Sequence, residues 1–193
     1  MQEPSVHFIH LRTHSQYSIL DGTASTQDLA ERAAQEKMRG LALTDHGNLY
    51  GVVEFYKACK EAGVQSIIGC EFYLNDAYHL DPEAFKASRR KSKIIIPDGD
   101  ESDTDTEIIT GYQNNHMLSY AKNFEGVNNL IHLANQGYTN FYGKPLISSQ
   151  MIFDNLDKNN IVTTACLSSN FNKLVVQRNF KEATRLLSEY KEK

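Results

Sequence analysis

Short apolar runs alternating with amphipathic helical segments predict an α/β fold with a largely parallel sheet. Three observations carry that reading. The runs LALT, SIIGCEFYL and NIVTTACL have the length and branching of buried strands. The segments STQDLAERAAQEKM and YGVVEFYKACKEAG flank the first of them with helical spacing. A chain of 193 residues, 40% hydrophobic and 23% charged, suits one substantial core rather than two. Short crossovers between parallel strands fit either a barrel or an open doubly wound sheet.

In order, Val6 to His10 forms a first apolar run. Ser25 then caps a helix, with the reciprocal spacing to Asp28, and Gly40 is expected to stop it. Leu41 to Thr44 reads as a buried strand, Tyr50 to Gly63 as a helix ended by its last glycine, and SIIGCEFYL as a further strand. Between residues 76 and 113 the rhythm breaks. KASRRKSK is basic, and Asp98 to Glu107 is too acidic to bury apolar surface, so a mobile charged insertion is expected, with a hairpin around Lys93 to Pro97. The acidic run lacks the glycine and terminal glutamate of an EF-hand loop. HMLSYA then reads as a strand, EGVNNLIHLANQ as a helix ending at Gly137, SSQMIFDNL as a short helix and NIVTTACL as a strand. Two helical stretches follow, giving about five strands in one domain spanning 1–193.

Charge and cysteine content narrow the function classes. A net charge of -4 argues against wrapping nucleic acid through the overall field, while leaving local basic patches available. No run is long and apolar enough to span a bilayer, and MQEPSVHF lacks the features of a secretion signal, so a cytoplasmic protein is expected. Cys59, Cys70 and Cys166 are odd in number and never paired as CxxC, which suits reduced thiols.

Polar residues gather where ligands gather in parallel α/β folds, beyond the carboxyl ends of strands. His10, Arg12, His14 and Asp21 follow the first run, and Asp45 and His46 follow the second in LTDHGN. Glu71 lies inside the third, on the face opposite Cys70 and Phe72, where a carboxylate is costly unless paired or bound to metal. His116 and Cys166 sit in or beside the later strands. Imidazole, carboxylate and thiolate at strand after strand suit zinc or manganese, with a glutamate bridging two ions. Single residues carry little by themselves. His7, His79 and His132 read as surface or packing residues, Cys59 as a core residue, and Asp45 equally well as a cap.

The motifs HLRTHSQYSILDG, LALTDHGNLYG, IIGCEFYL, HMLSYAKNFEGVNNL and NQGYTNFYGKPLI closely resemble the N-terminal PHP (polymerase and histidinol phosphatase) domain of the bacterial replicative DNA polymerase III alpha subunit. The resemblance covers nearly the whole chain. It implies a distorted (β/α)7 barrel with a trinuclear zinc or manganese site at the strand ends, which in active relatives serves a 3'-5' exonuclease. Carried over by motif, the metal ligands fall on His14, Asp21, His46, Glu71, His116 and Cys166. The first position of the opening histidine pair falls on Arg12, which can neither deprotonate nor bind a metal. Its fixed charge is expected to replace one ion, and the resemblance leaves open whether His10, two residues earlier, compensates. The family's last aspartate and histidine ligands would lie beyond Lys193, so the barrel is expected to be incomplete here.

Two readings follow from the resemblance. One is a metal-binding structural module with a degenerate phosphoesterase site. It would pack against the remaining polymerase domains and other replisome subunits, and meet DNA through the full-length protein. The other is an active metal-dependent exonuclease. A free-standing phosphatase is disfavoured by NLYGVVEFY and YGKP, which follow the polymerase version of the motifs.

Overall fold

Residues 8–19, 21–90 and 114–191 are described in the computed structural model of the chain. Two faces of one mixed sheet organise them. Strand β1 (Gly40–Leu43) is buried throughout and pairs in parallel with β2 (Gln65–Leu74), joined by the helix α2 (Val52–Ala62). Gly63 ends α2 in the left-handed conformation, at φ +71°, as its position in the sequence predicts. The preceding helix α1 (Thr26–Gln35) opens on the expected capping box between Ser25 and Asp28. Gly40 does not stop α1. The helix ends at Glu36, Lys37 turns the chain at φ +57°, and Gly40 is already the first residue of β1, its absent side chain leaving room for the Gln65 carbonyl.

The first apolar run departs from expectation too. Val6 and His7 lie outside the described residues, and Phe8 to Thr13 runs beside β1 without joining it as a strand. Its ties are local: the amides of Ala42 and Thr44 donate to the carbonyls of His10 and Thr13, at 3.0 and 2.8 Å. That spacing leaves the segment bulged.

Beyond β2 the sheet stops being parallel. The expected insertion begins in two described helices, α3 (Asp76–Leu80) and α4 (Pro82–Arg90), where the short turn capped by Asn75 buries Tyr78 and Phe85. Its acidic stretch and the hairpin around Lys93 to Pro97 fall outside the described residues. Asn75 Nδ2 donates to Asn114 Oδ1 at 2.8 Å, so the connection leaves and re-enters the sheet at one end. Strand β3 (Asn115–Ala121) must therefore run antiparallel to β2, with Tyr73 opposite His116 and Glu71 opposite Leu118. The parallel pairing expected from the strand–helix alternation thus holds for β1 with β2 and not for β3.

Helix α5 (Phe124–Thr139) continues past Gly137, which is buried within it against Ile147 and Pro145. The two-residue strand β4 (Leu146–Ile147), not anticipated, pairs in parallel with the end of β2 along the edge that β1 uses earlier. After α6 (Ser149–Asn155), strand β5 (Asn160–Thr163) pairs antiparallel with β3. Helices α7 (Asn170–Val176) and α8 (Phe180–Lys191) follow. The sheet order is β1-β2-β3-β5, an open α/β sheet among the described residues.

Packing separates the two faces of β2. Cys70, Phe72 and Leu74 turn outward into a core completed by Leu130 and Leu133 of α5, Ile147 and Ile152. A second core packs Leu41 and Leu43 against α1 and α2 through Ala30, Ala33, Phe55 and Cys59. The opposite face carries Glu71 and Tyr73. That alternation is the one the sequence predicts for a strand with a carboxylate on an apolar background.

Candidate metal centre

Glu71 is the centre of the site, fully buried and held by four contacts. Arg12 places its guanidinium fork on both oxygens, Nε donating to Oε2 at 2.8 Å and Nη2 to Oε1 at 3.1 Å. His14 Nε2 meets Oε2 and His116 Nδ1 meets Oε1, each at 2.8 Å. Burial alone would raise the Glu71 carboxyl, but the bonds from His116, His14 and Arg12 outweigh it and hold the group well below the ordinary carboxylate range. The same bond to Glu71 raises Arg12. Because β3 is reversed, His116 near its start stands beside the carboxyl-terminal half of β2, and this brings its ring to Glu71.

A second carboxylate lies at the mouth. Asp21 Oδ2 accepts from His46 Nε2 at 2.7 Å and faces His14 Nδ1 at 2.9 Å. The His46 bond holds Asp21 below its usual value, while burial pushes the His46 ring down despite its acidic neighbour. His14 thus has one carboxylate at each ring nitrogen, linking the two halves of the site. Cys166, beyond β5, brings its Sγ within 3.5 Å of His116 Nδ1.

The loop that holds His14 is built on Asp45. This buried carboxylate accepts from the Ser15 amide, the Ser15 hydroxyl and the Ser18 hydroxyl, each at 2.7 Å. Ser18 Oγ in turn accepts from the His46 amide at 3.0 Å. Gly22 closes the loop where any Cβ would collide with the Ser15 carbonyl at 2.2 Å. Asp45 therefore positions the two histidines by tying the Ser15–Ser18 loop, and it does not cap a helix, the alternative its place in the sequence suggested. Gly47 follows at φ +64° against Pro145, bringing the β4 approach onto the site.

All six sequence-derived ligand positions come together. The donor atoms of His14, Asp21 and His46 lie within 4.8 Å of one another, and those of Glu71, His116 and Cys166 do likewise. The first set offers two nitrogens and an oxygen, which fits a zinc or manganese ion. His46 Nδ1 is buried and has no hydrogen-bond partner among the described residues, so the ring's one hydrogen bond there is to Asp21. The second set fits an ion by donor type, yet Arg12 already covers both Glu71 oxygens with fixed positive charge. His10 does not compensate. It is exposed, packs its ring on Phe8 at 4.7 Å, and belongs to neither set. His79 is spent on the Leu146 carbonyl, as its reading as a packing residue implies.

Sequence reasoning missed the surroundings of these ligands. A cleft of about 840 Å³ opens over the site, lined by Arg12, Asp21, His46, His116 and Cys166, and walled by Tyr73, Tyr138, Phe141 and Lys144. Tyr73 stacks on His46 at 5.5 Å and meets His116 edge-on at 5.2 Å. Lys144 Nζ donates to the Tyr73 hydroxyl at 2.9 Å. Lys144 stands in YGKP and Tyr50 in NLYG, segments the sequence reading singled out without assigning them to the site.

Comparison with known proteins identifies the family. Over 162 residues the chain is 38% identical to the DNA polymerase III subunit alpha of Chlamydia trachomatis, covering 83% of this chain and 11% of that protein. The corresponding subunit of Borreliella burgdorferi is 34% identical over 91% of the chain and 13% of its own length. That of Saccharopolyspora erythraea is 30% identical over 96% and 15%. The chain thus spans only 11% to 15% of the length of these relatives. A solved amidohydrolase from Chromobacterium violaceum shows a slight likeness, 19% identical with a TM-score of 0.39 over 66% of this chain and 34% of that one. The PHP domain model matches residues 10–193, which include every residue of the two ligand sets, and the chain belongs to the PHP domain family.

Proposed function

We propose that this chain is a metal-binding structural module: the PHP domain of a DNA polymerase III alpha-type protein whose phosphoesterase centre is degenerate. The domain spans 1–193 and carries the charged insertion at 76–113. It holds one zinc or manganese ion at His14, Asp21 and His46, while Arg12 takes the place of a second ion on Glu71. The observation that supports this most is the two-pronged Arg12–Glu71 pair amid the six clustered ligand positions. A bound transition metal supplies charge neutralisation and, in a working centre, an activated water. With a guanidinium on the bridging carboxylate, the clustered side chains bind and order the domain instead of turning over a phosphodiester. The partners of such a module are the remaining polymerase domains and other replisome subunits, with DNA met through the full-length protein in the cytoplasm. Among the described residues no helix is long and apolar enough to cross a membrane.

The test compares the chain with Arg12→His and Glu71→Gln for metal content and for manganese-dependent release of nucleotides from a single-stranded DNA 3' end. The proposal expects no release by the unaltered chain and a higher metal content in Arg12→His. Release by the unaltered chain that chelator and Glu71→Gln both abolish overturns it in favour of an active exonuclease.

A further inference from the structure

Two side chains in the wall of the cleft belong to neither ligand set, yet they hold the rings that do. Tyr73 lies on β2 with His116 of β3 opposite it on one edge and Leu146 of β4 on the other. It is buried. Its ring lies within 18° of parallel to that of His46, with centroids 5.5 Å apart, and meets His116 edge-on at 5.2 Å.

Lys144 fixes Tyr73 at its hydroxyl end. The ammonium donates to that hydroxyl at 2.9 Å and lies 4.6 Å from the centre of the ring. It comes from a tight turn before β4, where Gly143 takes φ +68°, the Tyr142 amide donates to the Lys144 carbonyl at 3.0 Å, and Phe141 bridges to Pro145. Pro145 in turn packs on Gly47, the residue after His46, where a Cβ would lie 2.4 Å from it. One turn therefore reaches both the backbone beside His46 and, through Tyr73, the His46 ring.

His46 needs such a support. A metal-binding imidazole is ordinarily oriented by a hydrogen bond from its second ring nitrogen, and losing that partner weakens the metal about 10- to 100-fold. His46 spends Nε2 on Asp21, a fellow ligand, at 2.7 Å, and its buried Nδ1 has no hydrogen-bond partner among the described residues. His14 and His116 differ, because each reaches the buried Glu71 carboxylate. What orients His46 is ring contact, with His14 at 4.1 Å, itself a ligand, and with Tyr73, which is not.

We infer that Tyr73, anchored by Lys144, is a positioning residue for the His14, Asp21 and His46 set, supplying by ring stacking the orientation that His46 lacks a second hydrogen bond to provide. Its consequence for affinity rests on the metal reading above. The ring packing does not.

Cobalt(II) titration of the 193-residue chain, followed by visible absorption, and zinc competition against a chelating dye test the inference. Tyr73→Leu should bind both ions about tenfold more weakly, with a weaker cobalt band per bound ion. That variant also empties part of the core shared with Tyr78, Phe85 and Leu146, so the exposed Lys144 separates positioning from packing. Lys144→Met and Tyr73→Phe should each weaken binding about threefold, and the double variant should lose no more than either, because both changes break the same bond. Lys144→Arg, which keeps a donor and the charge, should restore the parent value. In chelator, proton–carbon correlation spectra of histidine-labelled chain read the rings without metal. Lys144→Met and Tyr73→Phe should shift the ring signals of His46 and His116 and leave those of the exposed His132 in place. Ring signals that stay put, or metal affinity unchanged in Lys144→Met and Tyr73→Phe, overturns the inference. A parent chain that takes up neither ion overturns the metal reading instead, and the shift of the ring signals then decides the positioning role by itself.

Discussion

Replacing Arg12 with methionine keeps the apolar stem and removes the fork that covers Glu71. Removing one partner of a fully buried ion pair costs roughly 3–5 kcal/mol. Two features of this site reduce that figure. Arg12 is itself 39% exposed, so solvent screens its charge, and Glu71 keeps His14 and His116 at 2.8 Å. The expected loss in chelator is therefore about 2 kcal/mol, or about 4 to 8 °C in melting temperature for a chain of this size. Arg12→Lys, which keeps the charge and loses the two-pronged geometry, should fall between parent and methionine variant. Zinc should raise the melting temperature of Arg12→Met more than that of the parent, because the cation competing for Glu71 is gone. Thermal unfolding followed by circular dichroism, with and without zinc, reads both effects. A shift below about 1 °C in chelator would refute the reasoning, since it would mean that His14 and His116 satisfy Glu71 unaided.

Asp45→Ala should cost about 3 kcal/mol by urea unfolding, because it strands the Ser15 amide and two serine hydroxyls in a buried loop. Gly47→Ala should destabilise more than Gly63→Ala. Both glycines have positive φ, but a Cβ at Gly47 lies 2.4 Å from Pro145 while one at Gly63 meets nothing within 4 Å, so about 2 against about 1 kcal/mol is expected by urea midpoint. In chelator, acid should destabilise the chain in two stages. His46 has a lowered folded pKa, so its contribution is complete above the ordinary histidine value near 6.5 and fades as pH falls below it. Asp21 and Glu71 are also lowered, so their contributions persist above the ordinary carboxylate range and are lost as pH falls through their folded values. A urea midpoint that stays constant from pH 7 to pH 3 would contradict both assignments.

The face of each strand was legible wherever the apolar pattern was strict. In GCEFYL the alternation put Cys70 and Phe72 in one core and Glu71 on the other face, which is how the strand packs. Local capping was equally readable at Ser25, Asp28 and Gly63, because these signals act within one turn. Strand direction was not. Whether β3 runs with or against β2 depends on where a connection of some forty residues re-enters the sheet, and the Asn75–Asn114 contact that fixes this is invisible to periodicity. Two-residue β4 is too short to carry any period at all. At the site, Arg12 stood out because its chemistry is wrong for a ligand position, and its pairing with Glu71 follows from charge. The cleft walls Tyr50, Tyr138 and Phe141 were hidden for the opposite reason: aromatic residues spread across about ninety positions read as core until their exposure is seen.

The central claim is that a guanidinium sits where an ion would otherwise bridge on Glu71. Crystals of the chain grown with zinc, measured at the zinc absorption edge, locate each ion directly. The account predicts an anomalous peak among His14, Asp21 and His46, with the Arg12 fork still on both Glu71 oxygens. A peak bonded to Glu71 and His116, with Arg12 turned away into solvent, would contradict it.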